Sequence, residues 1–268
     1  MGYAQSLKKR FPGITIKVED LLLLEDFQVK YLPDRVPEKE FSIVLHANPL
    51  IHRFFELKYP LIEGFINTIL AAYNPADNED ILEESCQDLL WEIADLIIYN
   101  KYPGVYDEQS GLIWEMSELS SVTSLQGKTI LDAGAGTGRL AFLVAPVADT
   151  VYAMEPVGNM RRFVREKASR IKAKNLFAIN GFLDSIPLPD NSVDVLMTSN
   201  AIGWNLEDEL VEIERVLRQN GHAIHLLKSD VQVENPFHDI LTSTPWKYDY
   251  RRSDVDGGLK IKYFKTIK

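Results

Sequence analysis

Ile130-Leu131-Asp132-Ala133-Gly134-Ala135-Gly136-Thr137-Gly138-Arg139-Leu140 runs an apolar strand into an acid, sets three glycines at alternate positions, and then opens a new apolar helix. Glycine is needed where the backbone turns with positive φ, or where a ligand lies against the main chain without room for a Cβ. A strand, a glycine loop and a helix in that order aim backbone N–H groups and a helix N-terminus at a small molecule. The stretch therefore predicts a nucleotide-type pocket near Ala135, the plainer alternative being a tight structural turn.

Spacing narrows the ligand. Dinucleotide-binding sheets use G-x-G-x-x-G, with the last glycine packing helix on strand. Here the order is G-x-G-x-G, and Asp132 stands two residues before the first glycine. A carboxylate at that point repels a diphosphate and suits a ligand carrying an amino group and a sulfonium. Val151-Tyr152-Ala153-Met154 then reads as a short buried strand ending at Glu155. An acid there can accept hydrogen bonds from both hydroxyls of a ribose, or it can simply cap a helix. Pro156 and Gly158 lead into a basic helix around Met160-Arg161-Arg162-Phe163.

A third cluster, Asn180-Gly181-Phe182-Leu183-Asp184-Ser185-Ile186-Pro187-Leu188-Pro189-Asp190-Asn191, turns into an apolar strand from Val193 to Met197. Ser199-Asn200-Ala201-Ile202-Gly203-Trp204 leaves that strand. A helix is expected from about Glu207 to Leu217, ended by Gln219-Asn220-Gly221, and a strand from His222 to Leu227.

With these four pieces in this order, residues 128–228 resemble the class I S-adenosylmethionine-dependent methyltransferases, in particular the ubiquinone/menaquinone-biosynthesis-like branch acting on small molecules. The resemblance rests on Leu131 to Gly138, on Glu155-Pro156, on Ile186 to Asp194, and on Glu214-Arg215-Val216-Leu217-Arg218-Gln219-Asn220-Gly221. It implies an α/β fold: a doubly wound, seven-stranded, mostly parallel sheet with a C-terminal antiparallel hairpin. It also implies roles for named residues. Asp132 and the loop Ala133, Gly134, Ala135, Gly136, Thr137 and Gly138 would hold the methionine part of S-adenosyl-L-methionine. Glu155 would take the ribose, with Pro156 and Met160 close to the adenosine. Gly181, Phe182 and Leu183 would line the adenine, and Ser199 and Asn200 would face the amino group. Two positions depart from the family. Phe182 stands where an acid is common, so the contact to the adenine amine is missing or falls to Asp184. Gly203 stands where histidine is common, which removes a ready base and would open the pocket.

The remainder agrees with a helical N-terminal extension or lid over residues 1–120 and a methyltransferase domain over residues 121–268. Ala47 to Leu57, Leu61 to Tyr73 and Asn78 to Asn100 carry apolar residues at helical spacing, with a short strand expected at Ile14 to Val18. After Leu227 a helix is expected near Pro236 to Leu241. Strands Trp246 to Arg252 and Leu259 to Thr266 then flank an Asp256-Gly257-Gly258 turn. That terminal hairpin is a mark of class I methyltransferases, and with the glycine spacing it argues against a nicotinamide-dependent oxidoreductase. Tyr99, Tyr102, Tyr106 and Trp114 either pack helices or form an aromatic lid over the sulfonium or an apolar acceptor. Tyr106, Trp114 and Trp204 are the candidate substrate contacts.

Composition narrows the classes further. Residues 1–125 hold 10 Lys and Arg against 21 Asp and Glu, and residues 126–268 hold 19 against 18. An acidic half of this kind argues against nucleic acid as a partner, which needs a basic face. The basic run Arg161 to Lys174 reads as a solvated helix face. One cysteine, Cys86, excludes an internal disulfide and a multi-cysteine metal site, and suits a reducing, cytoplasmic setting. No metal is expected, nor a membrane span, since Leu21 to Leu24 is far short of the roughly 20 residues a span needs. The reaction expected is in-line transfer of the sulfonium methyl to a small-molecule acceptor. Asp230 and His238 are the only candidate general bases, each equally readable as a plain loop residue. His222 and His225 read as core histidines. The alternative is a cofactor-binding regulator or assembly partner without transferase activity.

Overall fold

The computed structural model describes residues 2–108, 114–229, 236–255 and 258–268. The chain divides into two units, Met1–Tyr106 and Asp107–Lys268. No helix among the described residues is long and apolar enough to cross a membrane.

The first unit is helical. Its helices are α1 (Tyr3–Arg10), α2 (Asp26–Lys30), α3 (Glu38–Ala47), α4 (Pro49–Lys58), α5 (Glu63–Ala72), α6 (Glu79–Glu92), α7 (Ala94–Lys101) and α8 (Pro103–Glu108), the last running across the division. Asn78 starts α6 as a cap, its Oδ1 accepting from the Ile81 N–H at 3.0 Å, with Glu79 and Asp80 placed on the favourable end of the dipole. Phe41 sits at the centre of this unit's core, edge-on to Phe55 at 5.5 Å and stacked with Phe65 at 6.3 Å. Contacts of this kind add about 0.5–1.5 kcal/mol each beyond area burial.

Three expectations change here. The stretch Asn78 to Asn100 is two helices, broken at Ile93 (φ −113°, ψ 19°). Beyond the break α7 carries Asn100 into the core, where it exchanges hydrogen bonds with Gln28 at 2.8 and 3.2 Å. The Ala47 to Leu57 helix starts two residues later than expected, as α4, because Asn48 leaves helical geometry and Pro49, lacking an N–H, takes the first turn. Ile14 to Val18 forms no strand. Asp20 instead accepts from the Lys17 N–H at 2.7 Å and winds Val18–Leu23 into a 3-10 turn.

The second unit opens with α9 (Met116–Ser120) and builds one seven-stranded sheet: β1 (Thr129–Ala133), β2 (Thr150–Met154), β3 (Leu176–Ile179), β4 (Val193–Ser199), β5 (Leu217–Ser229), β6 (Asp249–Val255) and β7 (Gly258–Thr266). The order is β3-β2-β1-β4-β5-β7-β6, parallel from β3 to β5 and antiparallel from β5 to β6. Apolar residues fill both faces of the central strands, as a sheet covered on both sides requires. On one face Ile130, Val151 and Met197 meet α9, α10 (Arg139–Val144) and α11 (Gly158–Ile171). On the other, Leu131, Leu196 and Tyr263 meet α12 (Leu206–Val216) and α13 (His238–Thr242).

The expected stop at Gln219-Asn220-Gly221 lies inside β5. Asn220 adopts φ 62° and donates to the Ile267 carbonyl at 2.9 Å, while the pairing with β4 shifts register between Val193 and Val195. The turn residues mark a strand irregularity, and α12 passes into β5 without a loop. The terminal hairpin is present, with its strands beginning at Asp249 and Gly258. Asp256 and Gly257 of its expected turn lie outside the described residues.

Candidate functional site

β1 and β4 are neighbours, and the chain runs outward from them in opposite directions, to β2 and β3 on one side and β5 on the other. In open α/β sheets ligands bind at such a reversal, beyond the carboxyl ends of the strands. The glycine loop leaves β1 there, and Asn200 to Asn205 leaves β4 opposite it.

Gly134, Gly136 and Gly138 adopt φ values of 73°, 54° and 80°. The alternate spacing read from the sequence is thus an alternate left-handed backbone, which side chains with a Cβ disfavour. A Cβ at Gly134 would fall 2.3 Å from the Cβ of Ala201 and 3.9 Å from Leu183 Cδ1. The loops after β1 and β4 therefore touch, main chain against methyl, with the third cluster at their side.

Asp132 ends β1 almost wholly buried, its Oδ2 accepting from the Ala141 N–H at 2.9 Å in the first turn of α10. Burial drives its pKa up to about 7. The Ala141 hydrogen bond opposes that rise, and the charge of Glu155 adds to it. Glu155 is buried at the end of β2. Its Oε2 accepts from the Gly136 N–H at 3.0 Å, and its Oε1 from the Val157 N–H at 2.9 Å. Glu155 thus holds the middle of the glycine loop and Asp132 the first turn of the helix that follows it, and Asp132 meets no side-chain cation among the described residues. An acidic floor with a left-handed main chain above it fits a cationic ligand that lies on backbone.

The flanking residues fall around this centre. Pro156 is half-buried and Met160 is buried on α11. Gly181 is packed so closely that a Cβ would meet Pro187 Cδ at 2.6 Å and Met154 Sδ at 2.7 Å. Phe182 is half-buried and bridges to Ser185, with Asp184 exposed on the same turn. Asn200 is held at φ 52° with its Oδ1 on the Lys228 N–H at 2.8 Å, and Ser199 beside it is half-buried. Trp204 is 63% exposed on the loop after β4. Trp114 lies in the core between α9 and the sheet, and Tyr106 packs edge-on to Tyr99 at 4.9 Å in the helical unit. His238 Nδ1 shares a hydrogen bond with the Tyr263 hydroxyl at 2.9 Å. Asp230 lies outside the described residues.

One expectation is overturned. The absence of a side chain at Gly203 does not open the pocket, because the Phe237 ring takes the space, its Cζ 2.2 Å from where a Cβ would stand. His225, by contrast, is buried as expected. It lies between Thr198 Oγ1 at 3.0 Å and the Tyr248 hydroxyl at 3.2 Å, and burial lowers its pKa to about 3, so it stays neutral.

Sequence reasoning missed three supports. Glu209, buried on α12, accepts from the N–H groups of Gly203 at 2.7 Å, Trp204 at 3.0 Å and Asn205 at 3.1 Å. An acid in a first helical turn is a legible capping signal. Arg161, assigned to a solvated face, donates to the Glu155 carbonyl at 2.7 Å and to Asn180 Oδ1 at 2.8 Å, joining the ends of β2 and β3. Arg215 gathers Glu212, Asp190 and the carbonyls of Ile186 and Leu188, and these fix the turn of the third cluster.

Comparison with known proteins finds likenesses in the second unit. A family described as a methyltransferase domain matches residues 131–225. An uncharacterized methyltransferase of Bacillus velezensis is 30% identical over 121 residues, covering 45% of this chain and 54% of that protein. A malonyl-[acyl-carrier protein] O-methyltransferase of Serratia marcescens is 27% identical over 141 residues, covering 51% and 53%. The chain thus spans about half the length of these curated relatives. The crystal structure of an S-adenosylmethionine-dependent methyltransferase from Aquifex aeolicus shares the fold with a TM-score of 0.51, at 20% identity over 62% of this chain and 97% of that one.

Proposed function

Starting from a chain whose second unit carries a class I S-adenosylmethionine-dependent methyltransferase domain, we propose that the protein moves the methyl group of S-adenosylmethionine to a small-molecule acceptor. The observation that supports this most is the buried acid pair, with Glu155 Oε2 drawn onto the Gly136 N–H and Asp132 beneath the same loop. The cofactor supplies an electrophilic methyl on a sulfonium, whose departure leaves a neutral thioether.

The protein's share of the chemistry is then placement. The loop from Ala133 to Gly138 and Asp132 would hold the methionine end, and Glu155 the ribose. Pro156, Met160, Gly181, Phe182 and Leu183 would enclose the nucleoside, with Ser199 and Asn200 on the β4 side. Alignment of acceptor and methyl with water excluded is the main source of rate in such a transfer. Trp204, exposed on the β4 loop, is proposed to meet the acceptor. A general base is needed only for an acceptor whose proton has a high pKa, a role for which Asp230 and His238 are the candidates.

The second reading is cofactor binding without transfer, which the Phe237 ring over Gly203 favours by filling the space of a family base. Titration calorimetry with S-adenosylmethionine, followed by transfer of label from its methyl group into small metabolites of a cell extract, separates the two. Micromolar binding with labelled product supports the transferase. Binding without label in any metabolite supports the second reading, and no binding by folded protein refutes both.

A further inference from the structure

Away from the glycine loop, a pocket of about 340 Å³ opens between α9 and the β6–β7 pair. Ile261 and Tyr263 point into the core under α12 and α13, so the alternate residues Lys260 and Lys262 point to the opposite face, where they line this pocket. Arg251 stands directly across from Lys262 on β6 and shares that face. Lys260, Lys262 and Arg251 converge there with Arg252 also in the lining, and the carboxylate beside them is that of Glu118, 3.3 Å from Lys260 Nζ.

Lys262 and Arg251 form no ion pair among the described residues. The Lys262 ammonium donates to the Glu118 carbonyl oxygen and to Ser121 Oγ, neither of which carries charge. Arg251 has no carboxylate within ion-pair distance among the described residues, and its guanidinium lies 5.4 Å from the Phe264 ring. Like charges directly opposite one another on paired strands are destabilising. Burial lowers the Lys262 pKa, and the charge of Arg251 lowers it further against the pull of Glu118. Trp114 walls the pocket at 6% exposure, and its indole N–H is buried with no hydrogen-bond partner. Ser117 and Ser121 complete the lining, the Ser121 hydroxyl donating to the Glu118 carbonyl while it accepts from Lys262, so that cations outnumber the one lining carboxylate, that of Glu118.

We propose that this pocket is a phosphate site, taking the phosphate monoester of a small molecule. A planar guanidinium beside two ammonium groups and hydroxyls matches a dianion with three acceptor oxygens better than a single carboxylate. The position gives the site a use. Lys262 pairs with Leu226, which pairs with Ser199 at the end of β4. Two strand spacings, about 10 Å, thus separate the site from the β4 end of the cleft. A phosphorylated methyl acceptor and a separate phosphorylated effector share this chemistry.

Calorimetric titration of the full chain with inorganic phosphate at constant ionic strength tests the site, with acetate as the comparison anion. Saturable phosphate binding is expected, about tenfold weaker in Arg251→Gln and in Lys260→Gln, one charge–charge contact being worth about that factor. S-adenosylmethionine titrations of the same variants should match the wild type. No saturable phosphate binding, equal affinity for acetate, or unchanged affinity in both folded variants overturns the proposal. None of these results depends on methyl transfer, so the two readings fail separately. Labelled transfer inhibited competitively by phosphate identifies the acceptor as the source of the phosphate group, and transfer indifferent to phosphate identifies an effector.

Discussion

Asp132 is an acid that folding makes harder to ionise. Its pKa of about 7 stands far above its ordinary 3.8, because burial penalises the charge more than the Ala141 N–H rewards it. Between these values the unfolded chain releases the proton while the folded chain keeps it. The native state then binds more protons, so this group's contribution to stability falls as pH rises from about 4 to 7, by at most about 4 kcal/mol. Asp132→Asn keeps an oxygen for Ala141 and removes the ionisation. The stability of the wild type relative to Asp132→Asn should therefore decline across that window and level off above it, as read from urea midpoints. Parallel pH profiles would contradict the buried charge. Asp132 and Glu155 were legible in the sequence because a strand end fixes where each acid stands. Ala201 was not: its methyl matters only because β4 lies beside β1, a long-range fact that no local pattern carries.

At the scale of elements, α12 does more than cover the sheet. One carboxylate on its first turn holds the N–H groups of three successive residues, Gly203 to Asn205. Removing a buried acceptor leaves its donors with the cost of desolvation, so Glu209→Ala should cost about 2–3 kcal/mol. Because the loss is concentrated in the loop after β4, amide hydrogen exchange at residues 203–205 should quicken more than in β4 itself. A destabilisation under about 0.5 kcal/mol, the size of an ordinary surface substitution, would show that the loop holds itself. The helix was expected from its apolar period, and its capping acid could have been. The closure of Phe237 on Gly203 could not, because ring and glycine meet only once α13 has been placed by the hairpin.

At the scale of the molecule, the cores follow the division of the chain. One runs from Leu7 to Ile98 within the helical unit, and the other two lie on either face of the sheet. A unit with its own core can fold alone. Residues 107–268 produced without the helical unit should give a cooperative melt and bind S-adenosylmethionine; an unfolded fragment would show that the sheet needs the helices. The resemblance carried the seven-stranded, mostly parallel sheet, and the alternation on either side of Gly258 carried the terminal hairpin. The break at Ile93 was hidden, since an apolar stripe reads alike across one helix or two. The touch between Gly134 and Ala201 has a last consequence. These residues stand 67 positions apart, on opposite sides of the reversal in strand order. A growing chain that has made β1, β2 and β3 owns the glycine loop and both acids, yet only half a mouth. The pocket closes when β4 threads in beside β1, so ligand capture would certify that the sheet has been assembled across its seam.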